Sequence, residues 1–444
     1  MIEEQAICRS RTSSTNHNTL IINEMKSTSR ENFIKTVNHF QPDKIVVDFG
    51  ATTVTGIHVR IVEKLREYYG LEKRPVKAFE PYQMLGEIDD DLQDAMGIDV
   101  IGLFGEKNMF GIKNKDWKMH RTLWGQEVLL PGNFNYTFND DGGILAYPEG
   151  DTSTRPSALM PKSGYFFDAL ERQVETNEET LLQDNLEEFG FVRDEDLKYW
   201  ADQVNSVKDG ARAVVASLGG TALGDIALVP AVGLKNPKGI RSIGEWYMST
   251  LTRPDFIKAL FDRQSEIAVQ NLRRIFGVIG NNIDVIYICG TDFGTQTSTF
   301  CSPETYAELW LPYYGRINDW IHQNTSWKTF KHSCGAIEPL IESFIESGFD
   351  IINPVQINAS DMDPAMLKKK YGGRVVFWGG GVDTQGVFAS GSPEEVAAQV
   401  RRQCDILNKD GGFVFNTIHN IQANVPFENV SSMLDTLKQI NSHH

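Results

Sequence analysis

The run Lys331-His332-Ser333-Cys334-Gly335 places an imidazole and a thiol two residues apart, just before a glycine that lets the chain turn. Imidazole nitrogen and thiolate sulfur together are zinc donors more often than donors to any other ion. A buried thiol beside a hydrogen-bonded histidine has the same sequence pattern, so the pair needs company. A third donor stands in Ile418-His419-Asn420-Ile421-Gln422. Three protein donors leave one position open, the arrangement of a catalytic rather than a structural zinc. The candidate metal set is therefore His332, Cys334 and His419.

Unusual polar residues accompany these donors in Thr291-Asp292-Phe293-Gly294-Thr295-Gln296, in Asn353-Pro354-Val355-Gln356 and from Gly379 to Gln385. Asp292 reads as a proton donor or as the outer partner of a metal-bound imidazole, with a turn-capping aspartate as the plainer alternative. Gln296, Gln356, Asp383, Gln385, Asn420 and Gln422 are candidates for orienting a substrate, because amides donate and accept and a carboxylate accepts. Some of these six are expected to tie loops together instead.

What must position these residues is a repeated theme. After Pro42 a short β-branched run, a loop of Gly or small polar residues and a segment of helical period recur. Strands are expected at 44–49, 99–103, 212–218, 283–289, 327–331, 350–353, 375–378 and 413–416. Eight such units close a barrel, so the fold class is α/β, a (β/α)8 TIM barrel. Each polar loop follows one of these strands, and barrel active sites are built at that end. His332 ends the fifth strand and His419 follows the eighth, so a metal held by both would lie over the barrel axis.

The domain reading is a loose arm at residues 1–24 and one barrel domain at 25–444, with His443-His444 as a solvated tail. Residues 104–210 form a large β-rich insertion between strands 2 and 3, too long for a plain connection. Within it, Gln126–Phe138 and Gly143–Tyr147 should make a hairpin around Asp140-Asp141-Gly142-Gly143, with a third strand in Ser157–Phe167 and a helix over Leu181–Lys198. Its rings, Trp117, Trp124, Phe134, Tyr136, Phe138, Tyr147, Tyr165, Phe166 and Phe167, should build the insertion's own core and together form a lid over the mouth.

Composition narrows the partners. With 43 Lys+Arg against 59 Asp+Glu, the net charge is −16, which disfavours nucleic acid and anionic membranes. The chain lacks an apolar run of the roughly 20 residues that a membrane span needs, and Met1 to Asn23 lacks a secretion signal's apolar stretch. A cytoplasmic enzyme is expected, with its oligomeric state left open. The five scattered cysteines suit reduced thiols rather than a disulfide framework. Cys289 and Cys404 read as small core residues.

Residues 30–440 resemble the uroporphyrinogen decarboxylase superfamily, and within it the zinc-dependent, corrinoid-linked methyltransferases. The resemblance is carried by Arg30-Glu31-Asn32, Pro42-Asp43-Lys44, His332-Ser333-Cys334-Gly335-Ala336-Ile337, Gly379 to Gln385, Gly391 to Val396 and Pro426-Phe427-Glu428-Asn429-Val430. It implies Zn2+ on His332, Cys334 and a residue seven before Pro426-Phe427-Glu428-Asn429. The branch has a cysteine there; this chain has His419. It also implies a small-molecule methyl donor, aryl methyl ethers foremost, and a corrinoid (cobalamin) acceptor. Because Phe330 interrupts the only approach to an Asp-x-His-x-x-Gly motif, the corrinoid is expected on a separate partner protein. Decarboxylases of the superfamily carry arginines after the first strand, whereas Val47 to Thr53 holds none. The competing readings are a metal-free decarboxylase or lyase, a methylcobalamin:thiol methyltransferase, and a docking subunit for a methyl-corrinoid.

Overall fold

The computed structural model describes residues 27–442. The arm expected at residues 1–24 and the tail His443-His444 lie outside the described residues.

Eight strands form one parallel sheet: β1 (Val46–Val47), β2 (Val100–Leu103), β3 (Ala213–Ala216), β4 (Val285–Cys289), β5 (Lys328–His332), β6 (Ile351–Asn353), β7 (Val376–Trp378) and β8 (Phe413–Phe415). Each overlaps a stretch expected from sequence. β8 returns to pair with β1, Val46 against Val414 and Val47 against Phe415. At the one seam without a ladder, between β1 and β2, Asp99 bridges the edges. Its N–H donates to the Val47 carbonyl at 2.9 Å, and its carboxylate accepts from Val47 N–H at 3.0 Å.

Side chains alternate across a strand, so one residue set fills the barrel and the next faces the helices. The inner set is Val46, Val100, Ala213, Val215, Val285, Phe330, Ile351, Val376, Trp378 and Val414, closed by Phe33 and Val37 of the first helix, Ser29–Val37. Stepping two residues further along β1, β4, β5, β6 and β8 reaches Asp48, Tyr287, His332, Asn353 and Asn416. The barrel is thus apolar in its depth and polar at its carboxyl end. The outer faces are covered by helices including Pro254–Ile279, Leu311–Asn324, Glu338–Glu346, Pro393–Leu407 and Phe427–Ser442. Pro303 and Pro393 open their helices at the first turn, where no intrahelical N–H is lost.

The inserted β structure differs from expectation in three ways. It is not confined to residues 104–210: Val76–Glu80 and Leu85–Gly86, from the β1–β2 connection, join Glu127–Leu130 and Lys118–Arg121 in one four-stranded sheet. The stretch 126–138 is broken at Pro131-Gly132. Pro131 has no N–H to donate, and a Cβ on Gly132 would sit 2.3 Å from the Asp116 carbonyl oxygen. Tyr136–Phe138 therefore pairs in a second sheet with Ile144–Ala146, followed by Ala158–Met160 and Asp168–Ala169. The helix expected over 181–198 is two, Leu181–Asp184 and Asp194–Val207. Between them Glu187 and Glu188 leave helical geometry to grip the buried Arg241 guanidinium at 2.7 and 2.6 Å.

Two buried carboxyls make the fold's stability depend on pH. Burial pushes Asp48 up to about 6 and Glu80 up to about 7, only partly opposed by N–H donors from Ala51 and Trp378 to the first and from Gln83 and Tyr82 to the second. A carboxyl raised in the folded state contributes stability below its unfolded pKa and loses it as pH rises through the folded value. Denaturant unfolding should therefore give a stability at pH 6 exceeding that at pH 8 by roughly 2 kcal/mol. Glu80→Gln should remove most of that difference; an unchanged difference would refute the assignment.

Candidate metal centre

His332 enters the barrel mouth because Phe330, two residues earlier on β5, faces the interior. Its Nδ1 lies 2.6 Å from Asn353 Oδ1, and the Asn353 amide nitrogen donates to the Trp378 carbonyl at 2.8 Å. That second bond fixes which end of the amide faces the ring. Nδ1–H then donates to Asn353, leaving the Nε2 lone pair aimed at Cys334 Sγ, 3.3 Å away. From the far side His419 brings its ring centroid to 5.5 Å from that of His332, the planes at 76°. One donor atom from each of His332, Cys334 and His419 lies within 4.8 Å of the other two.

The donor set fits a zinc ion. Tetrahedral bonds of about 2.0 Å to nitrogen and 2.3 Å to sulfur place neighbouring donors roughly 3.5 Å apart. The His332–Cys334 spacing already matches, and His419 needs a shift on the order of 1 Å. Burial, then Asp292, pushes the Cys334 thiol well up, while burial, then His332, pushes His419 down to about 4. Protein groups alone thus keep the thiol protonated and this imidazole neutral. A divalent cation displaces the thiol proton and takes neutral imidazole as it stands.

The Cys334 loop is locked onto the loop after β4. Cys334 N–H donates to Asp292 Oδ1 at 2.7 Å, Phe293 N–H to Ser333 Oγ at 2.9 Å, and Ala336 N–H to the Thr295 carbonyl at 2.8 Å. Gly335 adopts φ +94°, and a Cβ there would lie 2.3 Å from the Gly294 carbonyl carbon. Asp292 also lies 3.6 Å from His332 Nε2. It therefore buttresses the thiol's loop from beside the donors, while the outer partner of the imidazole is Asn353.

Most of the remaining candidates are engaged with each other. Gln385 accepts from Gln296 at 2.6 Å, Gln296 accepts from Gln356 at 3.1 Å, and Gln356 accepts from Gly335 N–H at 2.7 Å. Asp383 accepts from Asn358 at 2.9 Å and from Gln385 N–H at 3.0 Å. These residues form a relay of amides and one carboxylate from the rim to the glycine beside Cys334. Asn420 is buried, accepting from Gly56 N–H at 2.6 Å and donating to Thr53 O and Gln83 Oε1, so it ties the β8 loop to the β1 loop. Gln422 is half-buried, and its side chain makes no hydrogen bond among the described residues.

Sequence reasoning gave Asn353 no role of its own and missed Tyr287 and Lys331. The first two follow from the period of two, each standing two positions beyond an apolar interior residue. Lys331 breaks the expected pattern: it faces outward from β5, is fully buried, and has Nζ 4.6 Å from the Phe293 ring and 4.8 Å from that of Phe344. It donates at 3.4 Å to the Thr291 carbonyl and to Cys289 Sγ. In the insertion Phe110, Phe134 and Phe167 pack on one another, whereas Trp124 and Tyr165 lie against His58. A cavity of about 780 Å³ opens away from the donors, at the β1–β2 seam among Phe79, Phe104, Trp117 and Tyr199.

The fold and its mouth define the class: a parallel (β/α)8 barrel with a His/Cys cluster where such barrels carry their active sites. The chain belongs to the uroporphyrinogen decarboxylase (URO-D) family, whose sequence pattern matches residues 184–440. Among solved structures it is similar to a methyltransferase from Methanosarcina mazei, at 14% identity over 93% of this chain and 99% of that one, with a TM-score of 0.49. It is also similar to a GH113 β-1,4-mannanase, at 11% identity over 56% of this chain and 80% of that one, with a TM-score of 0.28. No curated protein sequence matches the chain. No helix among the described residues is long and apolar enough to cross a membrane.

Asn353 gives the site a direct test. Asn353→Ala removes the acceptor that sets the His332 tautomer, and zinc affinity, read by competition with a chromophoric chelator, should fall about 10- to 100-fold. Wild-type affinity in a folded Asn353→Ala protein would remove Asn353 from the site.

Proposed function

We propose that this protein is a zinc-dependent methyltransferase that moves a methyl group from a small aryl methyl ether to the cobalt(I) of a corrinoid carried by a separate protein. The observation that carries the reading is the convergence of His332, Cys334 and His419, within 4.8 Å, at the open end of a URO-D family barrel. Zinc held there would supply Lewis acidity to the heteroatom that bears the methyl group. The chain's own part is positioning: Asn353 sets the His332 tautomer, Asp292 holds the Cys334 loop, and the Gln296–Gln356–Gln385 relay stiffens the rim.

The donor class follows from leaving-group chemistry and from the charges at the mouth. A phenol ionises near pH 10 and water near 15.7, so an aryl oxygen leaves more readily by roughly 7 kcal/mol. Two cations, Lys331 and Arg60, are committed elsewhere. Lys331 points into an aromatic layer behind β5, and the Arg60 guanidinium donates to the Ala423 carbonyl at 3.2 Å and to the Tyr165 hydroxyl at 3.4 Å. A polycarboxylate of the kind the family name evokes would find no free arginine after β1, where Asp48 is buried instead. An apolar ring with a neutral oxygen suits the mouth better.

Metal analysis of purified protein should find about one zinc per chain in wild type and none in folded His332→Ala, Cys334→Ala and His419→Ala. Zinc-loaded wild type should transfer methyl from methoxybenzenes to cob(I)alamin, with each variant slower by on the order of 10³. A wild type that refuses zinc would sink this reading and leave a metal-free decarboxylase or lyase in its place.

A further inference from the structure

Helix Ile243–Thr252, inserted between β3 and β4, brings Tyr247 against the loop after β4. The Tyr247 ring stacks on Phe300, centroids 4.8 Å apart and planes at 24°. Phe300 belongs to the loop that is locked onto Cys334. Its N–H donates to the Phe293 carbonyl at 2.7 Å, and Gly294 in the same loop has no room for a Cβ, which would lie 2.7 Å from the Cys334 carbonyl oxygen. Tyr247 is thus two packing contacts from a metal donor.

Two features here have no use in the fold itself. The Tyr247 hydroxyl is buried and has no hydrogen-bond partner, a state that native proteins rarely leave uncompensated. Phe300 is 46% exposed. Asp225 is not that partner: it accepts from Gly290 N–H and Ala227 N–H, both at 3.0 Å, and makes no hydrogen bond to Tyr247. Burial, then Asp292 and Asp225, pushes the Tyr247 phenol up, so it remains an O–H donor at any working pH.

We propose that Tyr247 and Phe300 form the ring subsite of the methyl donor, the exposed part of the Phe300 ring packing against an oxygenated benzene whose oxygen substituent accepts a hydrogen bond from Tyr247. This deepens the methyltransferase reading, on which it rests for the identity of the bound molecule as a donor. It selects oxygen-substituted rings over thioethers, since sulfur is a weak acceptor, and over methylammonium ions, which have no acceptor for the tyrosine proton.

The test is direct binding of 2-methoxyphenol and of (methylthio)benzene to zinc-loaded protein by calorimetry, together with methyl transfer to cob(I)alamin. Tyr247→Phe keeps the stack and removes only the hydroxyl. It should weaken 2-methoxyphenol about tenfold and raise its KM alike, with kcat nearly unchanged, and should change (methylthio)benzene by less than about twofold. Phe300→Ala, at an exposed position, should weaken both ligands. Thermal unfolding of ligand-free Tyr247→Phe should occur at or above the wild-type temperature, because an unsatisfied buried hydroxyl has been removed; a structural tyrosine would lower it. Equal 2-methoxyphenol affinity in wild type and Tyr247→Phe, or preferential binding of trimethylammonium, overturns the subsite. Binding of 2-methoxyphenol that responds to Tyr247→Phe, without any methyl transfer by wild type, would overturn the methyltransferase reading and leave the subsite standing.

Discussion

Everything at the mouth depends on two glycines that touch. Gly335 and Gly294 bring the loops after β5 and β4 so close that a methyl group on either would collide with the other's backbone. Only that approach allows the Cys334 N–H to reach Asp292 and the Phe293 N–H to reach Ser333. Loops that carry function are ordinarily the more mobile parts of a barrel. Here the thiol gains a fixed position from backbone contact rather than from length of strand. The Gln385–Gln296–Gln356 relay ends on Gly335 N–H, so rim and donor loop are braced as one piece.

The barrel was legible because its strands are short, β-branched and spaced by helices, and because parallel strands buried on both faces read as apolar runs. The His332, Cys334 and His419 cluster was legible for a related reason: each residue sits at or just after a strand end, at the mouth of the barrel. The insertion was harder. Its pairing joins residues 76–86 to 118–130 across β2, and no local pattern announces a contact at that separation. The helix break at 187–188 likewise depends on Arg241, more than fifty residues on. Asn353 and Tyr287 could have been found by stepping two positions along β6 and β4. Lys331 could not, since a lysine on the helix-facing side of a central strand contradicts the pattern that located the strand.

The charges of the mouth share one cause. Burial raises Asp48, Asp225 and Cys334 and lowers His419, so the site resists ionisation of every sign. A low-dielectric mouth tolerates charge only when charge is balanced within it. The sequence resemblance implies a cysteine where His419 stands, and the substitution removes one negative charge from the donor set. Asp292 stands 3.6 Å from His332 Nε2 and restores that charge without itself being one of the three donors. A dication held there, with the Cys334 thiolate it would create and the Asp292 carboxylate, would sum to zero. An imidazole where the resembling branch has a second thiolate would thus leave the charge of the mouth balanced.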